Sequence, residues 1–423
     1  MELSLSIFLI VCSLAFVALF RRADAIYEFP GFMTFAFMVF VVPQAIALVR
    51  IPGAAAPEAV TSTMWMSSLC LMGCFVGYRP SNFNFLGGLK SSHFHEGRLL
   101  FGAALLLAVA VIFQLLISGM STEEVGGTMM SGKVTIFVFL LGGINPAIAI
   151  FLRHALRESS AKGWVLLGIA MSPSLLTIIF GGRREVAAQI FLTIGLVLFF
   201  ERRLLPPRWL VPLTAVAALL IIPSTGEYRS NAATRDWEAI QQMDWVENFK
   251  SYMSEESTLE LRNAAISIEA TKIVDDYGWG GAYWDEMVWR FVPAQLLGKG
   301  FKDSLMIAKG KKDFEGHFLS IGYYIPVGAT QTGISDSFGQ FGYFGAVVFA
   351  LMALLFRNLW ESATQTDSIF TQLIYIGSVT PAMRAVTHQT VDFLPGMTYT
   401  LIYVLVLYFF SRIKVSTSLP AWR

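Results

Sequence analysis

Ionisable side chains stand at two places where the chain passes from one apolar stretch to the next. Arg183 and Arg184 follow a Gly-Gly pair with almost no loop to carry them into water, and Arg384 ends another apolar stretch, ahead of His388 and Asp392. Charged groups at such depths in a membrane are costly, and they often face a bundle interior or a water-filled cavity. They therefore indicate a functional site; the alternative is that arginines near a helix end reach the headgroups.

Two further candidates lie later in the chain. His317 and Asp336 belong to a polar stretch that runs directly into a glycine-punctuated apolar segment. The structural alternatives are a solvated loop position for His317 and an N-cap for Asp336, because Asp commonly precedes an apolar helix. His93 and His95 form an H-x-H pair without a third ligand, which is weak evidence for metal.

The elements that must position these residues are membrane helices. Hydrophobic residues make up 55% of the 423-residue chain, charged residues 14%, and the mean hydropathy is +0.59, so too little polar surface exists to cover a soluble globule. A spanning helix needs about 20 apolar residues. We therefore predict an all-α polytopic membrane protein with about 11 transmembrane helices, at residues 3–20, 31–49, 61–78, 99–118, 134–152, 164–180, 185–200, 209–223, 337–356, 369–385 and 394–411.

One large polar insert divides the chain into three regions. Residues 1–223 carry the first eight predicted helices, residues 224–335 form the insert, and residues 336–423 carry the last three helices and a tail. The insert holds 11 Lys or Arg against 16 Asp or Glu, so it is no polybasic lipid patch. Trp284 and Trp289 suit the headgroup depth. We predict a mostly helical cap that partly lies against the membrane.

The placement of basic residues in the short loops predicts the orientation. Alternate loops and the tail hold 15 Lys or Arg, whereas the opposite short loops hold five. Basic residues are retained on the cytoplasmic side. We therefore expect the N-terminus and the insert outside the cytoplasm and the C-terminus within it.

Composition also limits the functional class. The net charge of +1 provides no basic surplus for binding nucleic acid. The Gly298-Lys299 pair continues with Gly300, which departs from the GxxxxGK[ST] phosphate loop and leaves ATP use unsupported. We expect no cofactor and no metal.

Several motifs together resemble a known family. Trp289-Arg290-Phe291-Val292-Pro293, the Gly298-Lys299 turn, and an acidic residue followed by FGxFGxxG at Phe338 to Gly345 occur in that order, and the Gly-Gly-Arg-Arg break precedes them. This pattern resembles the Wzy-type oligosaccharide repeat-unit polymerases, which make O-antigens and exopolysaccharides. The resemblance covers about residues 134–411. In the family the acidic position is often Glu, whereas here it is Asp336.

The resemblance implies a reaction and roles for residues. Such an enzyme transfers a glycan from one undecaprenyl diphosphate to the non-reducing end of a repeat unit on another, at the outer face of the bacterial inner membrane, and a flippase and a chain-length regulator are possible partners. Arginine binds phosphate oxygens in pairs, and His or a desolvated carboxylate can act as general base. The implied diphosphate-binding residues are Arg183, Arg184, Arg229, Arg235, Arg290, Arg384 and Lys299, and the implied general bases are His317, Asp336 and His388.

Three other functions remain open. An O-antigen ligase shares the helix count and the outside arginines but tends to carry a histidine immediately before the helix that follows the large loop, where this chain has Asp336. A metal-dependent transferase would need an acidic pair such as Asp24 and Glu28 outside, and the orientation predicted here places them inside. A lipid-linked oligosaccharide flippase or other transporter would also carry buried arginines, although the single asymmetric insert and the lack of an internal repeat do not favour alternating access by matched halves.

Overall fold

The computed structural model describes residues 1–51, 53–80, 93–120, 133–254, 259–308, 323–325 and 329–413. Helices account for most of these residues, and no β-strand occurs among them. The prediction of a helical membrane protein is confirmed at this level. His317 lies outside the described residues.

Nine segments are long and apolar enough to cross a membrane within the described ranges. Each overlaps one of the predicted helices, although Leu210–Thr234 and Thr332–Gln365 extend well beyond the predicted bounds 209–223 and 337–356. The remaining two predictions correspond to 19-residue helices, Arg184–Arg202 and Ile369–Thr387, which are not among the nine. The count of eleven therefore stays a prediction. The nine are Glu2–Leu19, Phe29–Arg50, Pro57–Val76, Glu96–Ser118, Ile136–Glu158, Ala161–Gly181, Leu210–Thr234, Thr332–Gln365 and Thr390–Ser411.

The helices are numbered here in chain order. The first nine are α1 (Glu2–Leu19), α2 (Phe29–Arg50, with a π-helical segment at Phe37–Val41), α3 (Pro57–Val76), α4 (Glu96–Ser118), α5 (Lys133–Leu141), α6 (Ile144–Glu158), α7 (Ala161–Gly181), α8 (Arg184–Arg202) and α9 (Leu210–Thr234). Short helices follow, namely α10 (Trp237–Gln241), α11 (Trp245–Ser254), α12 (Glu260–Val274), α13 (Gly281–Phe291), α14 (Ala294–Leu297) and α15 (Lys299–Ser304). The last four are α16 (Thr332–Phe341), α17 (Ala346–Gln365), α18 (Ile369–Thr387) and α19 (Phe393–Ser411).

Helix α18 lies at the centre of the bundle, where it packs against α2, α8, α16, α17 and α19. Its Phe370, Ile374 and Tyr375 side chains are fully buried. The Tyr375 ring contacts Phe356 and Trp360 of α17 at centroid distances of 5.6 and 5.2 Å. The first two turns of α18 are therefore held in a packed aromatic core, and its last turn carries Arg384.

The two ends of the bundle carry different charge arrangements. At one end, Arg153 of α6 pairs with Glu96 and with Glu201 of α8 at 3.3 and 3.1 Å, and Arg157 pairs with Asp367 at 2.8 Å. The predicted orientation places all five of these residues on the same side.

At the other end, α12 of the insert docks on the second half of α2 and on the loop that follows it. The Leu261 amide donates a hydrogen bond to Gln44 Oε1 and Arg262 Nε donates one to Ala54 O, both at 2.8 Å. The Arg184 guanidinium lies 3.9 Å from Glu260 of α12, so the insert and the Gly-Gly-Arg-Arg break share one end of the bundle. Which end faces the cytoplasm stays a prediction.

Candidate functional site

The glycine pair between α7 and α8 makes room for an arginine from another helix. Gly182 has φ +56°, and a Cβ there would lie 2.7 Å from Arg229 Cγ. Arg229 Nε donates to Gly182 O at 3.2 Å, and the Tyr228 hydroxyl donates to Ile179 O at 2.8 Å. Only glycine adopts this backbone conformation without cost. Gly182 therefore ends α7 and also leaves space for the Arg229 side chain.

Three arginines consequently gather at this break. Arg183 precedes α8, Arg184 is its first residue, and both charges act on Arg229 of α9. Arg183 and Arg229 form no ion pair with any carboxylate in the described ranges, and Arg184 has one distant partner, Glu260 of α12, at 3.9 Å. The cluster is defined here as the arginine triad, Arg183, Arg184 and Arg229. Its positive charge is mostly uncompensated.

Glu260 joins the insert to the triad. The carboxylate also accepts a hydrogen bond from the Thr330 hydroxyl at 3.1 Å. Burial raises the pKa of Glu260, while Arg184 and the Thr330 hydrogen bond oppose this rise. The insert therefore supplies one weakly held carboxylate to the arginine triad.

Arg384, at the end of α18, is held loosely between two carboxylates. Its Nε lies 3.6 Å from Glu185 Oε1 and its Nη2 lies 3.6 Å from Asp392 Oδ2. The Nε atom is buried and has no hydrogen-bond partner among the described residues. A guanidinium in this state retains the capacity to donate to an anionic oxygen.

Arg290 of the insert is bound more tightly. Its Nε lies 2.6 Å from Glu286 Oε1, one turn earlier in α13, and its Nη2 lies 3.0 Å from Asp392 Oδ1. Burial lowers the pKa of Arg290, but the two carboxylates raise it by more. Asp392 thus lies between Arg290 and Arg384 and joins α13 to the end of α18.

His388 lies directly after α18, beside Arg384. Its Nδ1 is 2.8 Å from the Thr387 hydroxyl. Burial lowers the pKa of His388 below its usual 6.5, and the Arg384 charge adds to this effect. The imidazole is therefore neutral at pH 7, the form that accepts a proton.

Asp336 lies within α16, not at its N-cap, because the helix begins at Thr332. The capping interpretation is wrong. The carboxylate is 8% exposed and accepts hydrogen bonds from the Thr390 hydroxyl and from the Val391 amide, the latter at 3.1 Å. The Thr390 Oγ1 atom also lies 2.7 Å from the Tyr283 hydroxyl of α13. These contacts hold the turn that presents Asp392.

The start of α16 is pressed against α18. A Cβ on Gly333 would lie 1.6 Å from Ala385 O. Thr332 has φ +63° and a buried hydroxyl without a hydrogen-bond partner in the described part of the chain. A β-branched residue in this backbone region is strained, so the position of Asp336 is maintained against a local cost.

A cavity of about 210 Å³ opens beside Arg384. It lies between α6, α8, α18 and α19, and Glu185, Arg384 and Asp392 line its outer end. Further along it are polar and aromatic side chains, Asn145, Gln189, Thr193, Thr380, Tyr399, Thr400 and Tyr403. Ionisable side chains that line a cavity inside a membrane bundle often mark the path of a ligand or an ion.

The structure brings together five of the seven predicted phosphate-binding residues, the arginine triad with Arg384 and Arg290. The other two stand apart. Arg235 is exposed at the end of α9 and Lys299 is exposed at the start of α15, and neither makes a side-chain contact with this group in the described ranges. Their predicted roles have no support from geometry.

Sequence reasoning missed several partners. Glu185, Gln189 and Thr193 recur every fourth residue and form one face of α8, a spacing that signals a shared helix face. The sequence gives no such spacing signal for Glu260 and Tyr283, because the residues that they contact, Arg184 and Thr390, are distant in the chain.

No group of three or more His, Cys, Asp or Glu side chains able to hold a metal occurs among the described residues. Asp24 and Glu28, the acidic pair of the metal-dependent alternative, both pair with Arg22.

No protein-family model matches the chain, and no curated protein or solved structure matches it significantly.

Proposed function

We propose that this protein polymerises undecaprenyl-diphosphate-linked oligosaccharide repeat units at the outer face of a bacterial inner membrane. The arginine triad is the observation that carries the proposal, because three guanidinium groups with one distant carboxylate at 3.9 Å form a site for a multiply charged anion. The motif resemblance supports a lipid-linked diphosphate as that anion. The insert, joined to the same end of the bundle, then lies in the periplasm.

The reaction breaks one bond and forms one. A hydroxyl oxygen of the acceptor attacks the anomeric carbon of the donor glycan, the bond from that carbon to the diphosphate oxygen breaks, and undecaprenyl diphosphate leaves. Arginines at the leaving oxygen stabilise its developing charge in the transition state. Neutral His388, beside Arg384, accepts the hydroxyl proton.

Asp336 takes a positioning role in this scheme. Its carboxylate is occupied by Thr390 and Val391, so it stabilises the turn between His388 and Asp392 without contacting the reacting atoms.

The direct test uses purified protein in detergent with lipid-linked repeat units and a chelator. We expect polymer ladders that persist with the chelator. Transfer to a lipid A-core acceptor without ladders would instead identify a ligase. Loss of ladders on chelation would contradict the metal-independent scheme.

The orientation has its own test. Ser159, between α6 and α7, and Ser254, at the end of α11, are both exposed, whereas the native cysteines Cys12, Cys70 and Cys74 are buried. In intact cells with a permeable outer membrane, an impermeant thiol reagent should label Ser254→Cys and spare Ser159→Cys. The reverse labelling would place the triad in the cytoplasm and refute the proposal.

A transporter is favoured by one observation, the cavity inside the bundle that Glu185, Arg384 and Asp392 line at its outer end. The experiment that separates it from a polymerase measures movement of lipid-linked repeat units across proteoliposomes together with polymer formation. Movement without a covalent product would establish transport.

A further inference from the structure

The cavity extends well below the charged outer end of the bundle. Glu185 lies in the first turn of α8, and Thr193, eight positions further along the same face, lines the inner part of the cavity. At a rise of about 1.5 Å per residue this separation corresponds to about 12 Å along the helix. The cavity therefore reaches from the arginine site towards the middle of the bilayer.

Four polar side chains in this inner part have no hydrogen-bond partner among the described residues, whereas the Thr400 and Tyr403 hydroxyls donate to backbone carbonyls. The side chains of Asn145, Gln189, Thr193 and Thr380 line the cavity and make no side-chain hydrogen bond within the described ranges. A polar group left unsatisfied in the hydrocarbon region costs several kcal/mol. These groups must therefore hydrogen-bond to something that enters the cavity.

The lining indicates the chemistry of that occupant. Below Arg384 the polar groups are neutral amides and hydroxyls, which both donate and accept hydrogen bonds, and Tyr399 and Tyr403 add aromatic surface. An anion would find no positive charge there. A volume of about 210 Å³ holds on the order of seven waters at about 30 Å³ each, which also suits a single pyranose ring.

We propose that this cavity binds one sugar ring of the lipid-linked substrate, with its hydroxyl groups on Gln189, Asn145 and Thr193. This inference rests on the proposed function and deepens it. The arginine triad holds the diphosphate and the cavity holds a sugar, so the two parts of the substrate are recognised by different residues. Gln189 and Thr193 are then determinants of sugar specificity.

Two probes separate the parts of the substrate. One is the lipid-linked repeat unit extracted from cells that lack this protein, and the other is sugar-free undecaprenyl diphosphate. Binding of each to the full chain in lipid nanodiscs gives a Kd. Gln189→Leu and Thr193→Val remove hydrogen-bonding groups with little change of volume. Thr214→Val, on an exposed face of α9, is the matched control.

We expect Gln189→Leu to raise the Kd for the repeat unit at least tenfold, which corresponds to about 1.4 kcal/mol. The Kd for sugar-free undecaprenyl diphosphate should stay within about twofold of the parent value. Arg183→Ala should weaken both probes equally, and the control should change neither. When the rate of ladder formation is measured, Gln189→Leu should raise the KM for the repeat unit by a larger factor than it lowers kcat.

Three results would overturn the inference. Equal weakening of both probes by Gln189→Leu would assign the cavity to the diphosphate. A second result is that Gln189→Leu and Thr193→Val both bind the two probes as the parent protein does, while the parent protein still forms ladders. The cavity would then hold only water, and the proposed function would stand. Failure of the parent protein to bind either probe or to form ladders would refute the proposed function itself.

Discussion

Removal of the Arg183 guanidinium tests the diphosphate site most directly. Arg183 has no ion pair among the described residues and is exposed, so Arg183→Ala leaves no buried charge without its partner. Stability should therefore change little, as for most surface substitutions, which stay within about 0.5 kcal/mol. Any loss of activity then reports on the ligand.

The size of that loss follows from the position of the side chain. Two unit charges about 4 Å apart interact by about 4 kcal/mol at an effective dielectric constant of 20 and by about 1 kcal/mol in bulk water. Arg183 is exposed on one side and lies against the rest of the triad on the other, so an intermediate value of about 1.4–2.7 kcal/mol applies. This predicts a decrease in kcat of about 10- to 100-fold.

The assay compares initial rates of ladder formation at saturating repeat unit, at equal protein in the membrane. Arg235→Ala is the matched control, because Arg235 is an exposed arginine in the same region without contacts to the triad in the described ranges. Arg183→Lys should restore the rate only in part, since it keeps the charge without the paired donors. Equal rates for Arg183→Ala and Arg235→Ala would refute the role of Arg183.

Further changes test the supports of the site. Gly182→Ala should lower the free energy of unfolding by about 1 kcal/mol or more, because φ is +56° and the new Cβ would meet Arg229. Ladder formation should fall as well. Thermal unfolding in detergent measures the first effect and the ladder assay measures the second. Asp336→Asn should lower stability and slow ladder formation without abolishing it, because the amide oxygen can still accept the hydrogen bond from Thr390. Complete inactivity of a stably folded variant would show that the Asp336 carboxylate takes part in the reaction itself. Since burial lowers the pKa of folded His388 below 6.5, the unfolded chain binds this proton first as pH falls. Stability should therefore decline below about pH 6.5, and the decline should diminish in His388→Asn. An unchanged profile of stability against pH in that variant would exclude His388 from this effect.

The membrane helices are predictable because hydropathy is a local property of sequence. The end of α9 is not, since Pro223 and the polar residues after it suggest a stop at 223. The helix continues to Thr234, and the Ser224 and Thr225 hydroxyls donate to the carbonyls of Leu220 and Ile221 at 2.9 and 3.0 Å. Such bonds within the helix satisfy polar side chains in a membrane. This extension brings Arg229 to Gly182.

The individual arginines of the site are predictable from their depth, but their partners are not. Glu260 meets Arg184, and Asp392 meets Arg290, across long separations in the chain. Local spacing carries no information on such pairs, which depend on how the insert docks. The N-cap interpretation of Asp336 is wrong for a related reason, because α16 begins earlier, where it is pressed on α18.

Pairing within the protein decides which arginines a ligand can use. Arg290 is fixed by two carboxylates at 2.6 and 3.0 Å, and a phosphate would have to displace both, which leaves buried charges without partners. Arg384 faces two carboxylates at 3.6 Å and can turn towards an anion at a lower cost. Arg183 has no such competitor among the described residues. If the proposed function is right, we therefore expect the triad and Arg384 to bind the diphosphate, while Arg290 joins α13 to the turn before α19 through Asp392.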